Sequence, residues 1–161
     1  IANDSMLTIE KQRELFTKDR REHVRCKIKP LLRFVRRNPS FVICQDRSYL
    51  SLAAYQAEGF STKELRLLIR SQSFAPRADV FLLLDVPVRV AISRLKRSAR
   101  GHGGFDRHGI LDAARRRYRQ IARLHGKSVK IINGEGGAAE VHAKILRTLG
   151  LNNVRRETAN G

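Results

Sequence analysis

The chain has 161 residues, 42% apolar and 6% aromatic with no tryptophan, enough for one domain around an aliphatic core. Thirty-three lysines and arginines against fifteen acids give a net charge of +18, which favours phosphates, nucleotides or nucleic acid as partners. No apolar run approaches the ~20 residues of a membrane span, and two cysteines, Cys26 and Cys44, exclude a disulfide framework and point to a reducing, cytoplasmic setting.

From Leu7 to about Arg37 the apolar positions Leu15, Phe16, Val24, Ile28, Leu31, Leu32 and Val35 recur mostly at helical spacing, and Pro30 is expected to divide or kink the helix. Asn38-Pro39-Ser40 makes a turn, and Phe41-Val42-Ile43-Cys44 reads as a short strand buried on both faces. A helix follows from Ser48 to about Ala57. Ser61 and Glu64 form an S-x-x-E capping box for another, running to about Ser71, with Phe60 and Leu65 at the staple positions.

Val80–Leu84 is the strongest strand, and Asp85-Val86-Pro87 turns it into a helix ending before Gly101. Residues 98–108 hold three glycines and read as a mobile loop; a helix from about Ile110 to Leu124 and a strand at Val129–Ile132 come next. Ala138–Leu149 is the last helix, and Gly150 stops it. Strands alternating with helices predict an α/β fold, a parallel sheet with helices on both faces. Residues 1–150 are expected to form one domain with a lid at 98–108, followed by a polar tail at 151–161.

The charge is concentrated. Residues 11–37 hold eleven cations against three acids, and residues 89–130 hold thirteen against two. These blocks are either solvated helix faces or the borders of an anion-binding cleft.

Three segments carry a resemblance. Leu15-Phe16-Thr17-Lys18-Asp19-Arg20 is the first. The second runs from Val42 through Asp46-Arg47-Ser48 to Tyr55-Gln56. The third is Phe81–Pro87, then Arg94, Arg97, Arg100 and Asp106-Arg107, closing with Tyr118. In this order and spacing they resemble the thymidylate kinases, nucleoside-monophosphate kinases of the P-loop fold that make dTDP from dTMP and ATP. The match covers roughly residues 7–149.

The chemistry suits the residue types. Asp46-Arg47 follows a predicted strand end, where open α/β sheets bind ligands. Arg47 grips a phosphate with a planar fork, and Asp46 is placed to hold Mg²⁺ directly or through water. The resemblance implies that Arg47 binds the acceptor phosphate, Phe16 stacks on the base and Arg20 hydrogen-bonds it. Ser51, Tyr55 and Gln56 line the pocket. Plain alternatives are core packing for Phe16 and an internal ion pair for Asp46-Arg47. By the same resemblance Arg94, Arg97, Arg100 and Arg107 belong to a lid closing over ATP. Arg47, Arg97, Arg100 and Arg107 then supply the positive charge for phosphoryl transfer, with Arg94, Arg97 and the Gly134 loop at the cofactor. The alternative for the arginines is a solvated helix end.

The family's opening strand and G-x-x-x-x-G-K-[ST] phosphate loop have no counterpart in the sequence. Gly126-Lys127-Ser128 is a decoy because it precedes a strand, and Gly134-x-Gly136-x-x-Ala139 reads as a plain turn. The expectation is therefore a sheet lacking its N-terminal strands, with an upstream piece of roughly 40–60 residues holding the loop. Leu52 stands where the family often has a small polar residue, and Ser48 replaces its usual aromatic. The five histidines show no metal-ligand spacing with cysteines or acids.

Three functions follow. The first is a dTMP kinase using ATP and Mg²⁺ on small-molecule nucleotides, a homodimer by resemblance and without membrane association. The second is a deoxyribonucleoside kinase, against which Asp46 and Tyr55-Gln56 argue. The third is a non-catalytic, basic nucleic-acid-binding protein on the same fold, whose binding would weaken steeply with salt.

Overall fold

A computed structural model describes residues 8–57, 59–97 and 107–151, without the side chains of residues 9, 56, 107 and 108. The lid at 98–108 and the tail from 152 therefore fall almost wholly outside the described residues. The chain divides into two compact units. One comprises Ile1–Ala78 with Arg116–Ile121, the other Asp79–Arg115 with Ala122–Gly161.

The first unit is helical. Helix α1 spans Ile9–His23, capped by the Thr8 hydroxyl accepting from the Lys11 amide. Val24–Ile28 widens into a π turn in which the Lys29 N–H reaches back to the Val24 carbonyl, and α2 resumes over Lys29–Arg37. Pro30 explains the shift. Its ring has no N–H to donate and crowds the preceding turn, and a wider turn just before it relieves both problems.

Helix α3 (Tyr49–Gln56) starts where Ser48 accepts from the Leu50 amide, and α4 (Thr62–Ser71) starts at the expected capping box of Ser61 and Glu64. Leu50, Ala53, Ala54 and Ala57 are buried at i, i+3, i+4 and i+7, a stripe that packs α3 against α1 and α4. Leu65 and Ile121 fill the centre of this unit with no appreciable exposure.

The expected strand at Phe41–Cys44 is absent. Those residues have no regular secondary structure, and Val42 is 79% exposed. A strand needs a neighbour for its backbone groups, and among the described residues none lies beside this stretch. Phe41 packs edge-to-face on Phe34 of α2 instead, with ring centroids 5.3 Å apart.

The second unit contains the sheet. Strand β1 (Phe81–Asp85) pairs in parallel with β2 (Val129–Asn133), in register from Phe81 opposite Val129 to Asp85 opposite Asn133. Helix α5 (Val88–Arg97) follows β1, and α7 (Ala138–Leu149) packs on β2 and ends at Gly150, whose φ of 70° forms a left-handed cap. Helix α6 (Arg107–His125) contributes residues to both units. The architecture is α/β with a parallel sheet, which among the described residues has two strands. No helix among the described residues is long and apolar enough to cross a membrane.

Candidate nucleotide site

In the first unit a cavity of about 390 Å³ is lined by Gln12, Phe16, Asp19 and Arg20 from α1, by Arg47, Tyr49, Ser51, Leu52 and Tyr55, and by Gln72. Helical periodicity explains the α1 contribution, since residues 12, 16, 19 and 20 fall on one face. Phe16 is 57% exposed, which sets aside core packing as its role.

Arg47 is set by the backbone. Its φ is 60°, the described non-glycine residue in the left-handed region, at the turn that feeds the Ser48 cap of α3. Such strain, about 1–2 kcal/mol for a residue with a Cβ, persists where the surroundings hold it and gathers at functional sites. The turn carries the guanidinium over the Tyr55 ring, 5.4 Å from its centroid. Tyr55 in turn meets Tyr118 of α6 edge-to-face at 6.0 Å, and the Tyr118 hydroxyl donates to Ser51 Oγ at 2.8 Å. Burial pushes the Tyr118 hydroxyl above the ordinary tyrosine range, which extends its protonated, donating form further into alkaline pH.

Phe16, Arg20, Arg47, Ser51 and Tyr55 thus share one cavity. Asp46 adjoins it with an exposed carboxylate and no ion-pair partner among the described residues. Gln56 ends α3, its side chain outside the described set. Sequence reasoning passed over Gln12, Asp19, Tyr49 and Gln72. The i, i+4, i+7 and i+8 spacing of Gln12, Phe16, Asp19 and Arg20 was a usable signal, whereas Gln72 had none, because a chain reversal brings it to the cavity.

The remaining expected residues lie in the second unit. Arg94 donates to the Gly136 carbonyl at 2.9 Å, which ties α5 to the loop holding Gly134. Gly134 is buried, its N–H bonded to the Asp85 carbonyl at 2.8 Å, and a Cβ there would meet Val86 Cγ1 at 2.8 Å. Arg97 stands exposed on the last turn of α5. Arg100 and the side chain of Arg107 fall outside the described residues. Gly126–Ser128 is a 3₁₀ turn leading into β2, which is not the setting of a phosphate loop.

At the C-terminal end of β1, Asp85 receives two hydrogen bonds from Arg115, 2.7 Å from Nε to Oδ1 and 3.1 Å from Nη2 to Oδ2. This pair raises the Arg115 pKa and locks α6 to the strand end.

Comparison with known proteins settles the family. The profile of the family described as thymidylate kinase matches residues 3–145. The chain belongs to the thymidylate kinase family. A probable thymidylate kinase of Pyrococcus abyssi is 37% identical over 150 residues, covering 91% of this chain and 67% of that protein. The thymidylate kinase of Akkermansia muciniphila is 35% identical over 147 residues, covering 90% of this chain and 66% of its own length. That of Desulfotalea psychrophila is 43% identical over 96 residues, 59% of this chain and 43% of that protein. The chain therefore spans about two thirds of the length of the first two relatives. Membership in this family makes an α/β nucleotide kinase the frame in which the cavity is read.

Proposed function

We propose that the cavity is the acceptor-nucleotide site of a kinase that moves the γ-phosphoryl group of ATP to dTMP. The observation that carries this reading is the convergence of an exposed aromatic, Phe16, with two arginines, Arg20 and Arg47, around about 390 Å³. An aromatic face suits a base, and a guanidinium fork held in a strained turn suits a phosphate. The same reading assigns Arg97, Arg100 and Arg107 the charge that neutralises the transferring oxygens, and Arg94 and Gly134 a part in holding ATP.

For Mg²⁺ the expected ligand is one carboxylate, Asp46 beside the cavity, and among the described residues no group of three or more His, Cys, Asp or Glu could hold a metal ion, so water and substrate phosphates would complete the shell. Magnesium is commonly held by one or two carboxylates, waters and substrate phosphates, and Asp46 offers an exposed carboxylate next to Arg47. Bound there, the ion would draw charge from the phosphate oxygens. The nucleotide substrates agree with a cytoplasmic setting, and a homodimer belongs to the same proposal, read by sedimentation. The test is calorimetric titration of the full-length protein with dTMP beside a dTDP-formation assay with ATP and Mg²⁺. Saturable binding that collapses in Arg47→Ala supports the reading, and no binding of dTMP overturns it.

One observation favours a second reading. Lys29, Arg33, Arg36 and Arg37 are exposed, fall within about a 100° arc of α2 and have no acidic partner among the described residues. Such a ridge matches a polyanion. Binding of RNA or DNA with a steep log–log salt slope would support it.

A further inference from the structure

The proposal concerns Gln72, at the C-terminal cap of α4, and rests on the cavity being the acceptor site. Gln72 is 4% exposed, the buried polar residue among those described, and it lines the cavity. Its amide orientation follows from its neighbour. The Ser71 hydroxyl spends its proton on the Leu68 carbonyl at 2.7 Å, so toward Gln72 it can only accept. It accepts from Gln72 Nε2 at 3.1 Å. The Gln72 nitrogen is therefore the atom facing Ser71, and Oε1 is turned away from it. No donor among the described residues reaches Oε1, and the second Nε2 proton has no acceptor there either.

A buried amide with one acceptor and one donor unmet is costly unless something in the cavity meets them. Exposed polar groups around the rim, such as Asp19, are satisfied by solvent and carry no such demand. Leu52, on the same lining, offers no hydrogen bond. We infer that Gln72 is a specificity-determining residue, its Oε1 accepting from the ring N3–H of a thymine or uracil imide and its Nε2–H donating to the adjacent carbonyl. The amide and the imide edge are complementary, acceptor to donor and donor to acceptor.

The test compares dTMP with its N3-methyl derivative, which keeps the phosphate, sugar and ring but lacks the N–H. Calorimetry on the unaltered full-length protein should show the methyl derivative binding about tenfold or more weakly, the scale of one buried hydrogen bond lost with its partner left unmet. Gln72→Met, similar in volume but without the amide, should bind dTMP about tenfold more weakly than wild type and bring the two ligands within about twofold of each other. Equal affinity of both ligands for wild type overturns the inference. So does an undiminished methyl penalty in Gln72→Met, which would mark steric exclusion. The failures are separable: dTMP binding lost in Arg47→Ala yet indifferent to N3 methylation refutes the role of Gln72 alone. Absence of dTMP binding refutes the site and the inference together.

Discussion

Replacing Arg47 by alanine and by glycine separates what its backbone costs from what its side chain does. At φ 60° any residue with a Cβ pays about 1–2 kcal/mol relative to the right-handed region. Glycine escapes that strain but loses about 0.5–1 kcal/mol through the greater freedom of its unfolded chain. Both variants also give up the guanidinium over Tyr55, worth about 0.5–1 kcal/mol at an exposed site. Arg47→Ala keeps the strain and loses the contact, so it should be less stable than wild type by about 0.5–1 kcal/mol. Arg47→Gly should sit about 0.5–1 kcal/mol above the alanine variant, close to wild type. In dTMP binding the order disappears. Each variant lacks the charged hydrogen bonds to the phosphate and should lose about 1.5–3 kcal/mol, roughly ten- to a hundredfold in Kd. Urea unfolding gives the stabilities and calorimetry the affinities. Equal stability of the two variants would refute strain at this turn, and a glycine variant that binds like wild type would refute the phosphate role.

Tyr118→Phe removes the hydrogen bond to Ser51 and should cost about 0.5–1.5 kcal/mol by urea unfolding. Because burial raises the Tyr118 pKa above 10.0, the unfolded chain ionises first, so stability should hold below pH 10 and fall as pH climbs toward the folded value. The phenylalanine variant should fall less steeply there. Arg115→Ala takes the bidentate partner from Asp85, whose side chain is 11% exposed; with Arg115 itself 29% exposed, the loss should be about 2–3 kcal/mol, and lysine should not restore it. Ser61→Ala should destabilise by about 1 kcal/mol through loss of the α4 cap. Hydrogen bonds from Ser61 hold the Glu64 pKa below 4.5, so the contribution of Glu64 is present above pH 4.5 and should vanish as pH drops through its folded value.

Local signals proved readable from sequence. The S-x-x-E box at Ser61 and the stop at Gly150 each act within one helical turn, and each is where periodicity and capping chemistry put it; the Ser48 cap lies where the α3 helix is expected to start. Pro30 is similar, although its consequence, a π turn with helix on both sides, needed the structure. Helix α6 begins at Arg107, earlier than the apolar spacing indicated, because its first turn is polar and carries no periodic signal. Gln72 and the Asp85–Arg115 pair depend on residues brought together by tertiary packing, which no spacing encodes.

The misread strand and the turn that brings Arg47 to the cavity lie side by side, and the reason they differ is physical. An apolar run such as Phe41–Cys44 states a demand for burial, but strand pairing is a property of two segments, and a single sequence stretch cannot state which neighbour it has. The site immediately after it depends on no neighbour of that kind. Arg47 reverses the chain in the left-handed region, Ser48 caps the helix that follows, and Tyr55 lies less than two turns along that helix, under the guanidinium. From Asp46 to Tyr55 the geometry is therefore closed within ten residues by backbone sterics, one cap and helical rise. That closure is why the spacing Asp46-Arg47, seven residues, Tyr55-Gln56 fixes the turn and its contact with Tyr55 even where the stretch feeding it has no partner strand among the described residues. It also locates the weak point of the arrangement in the turn itself, since moving φ of Arg47 by one rotational well would carry the guanidinium away from Tyr55 while leaving α3 intact.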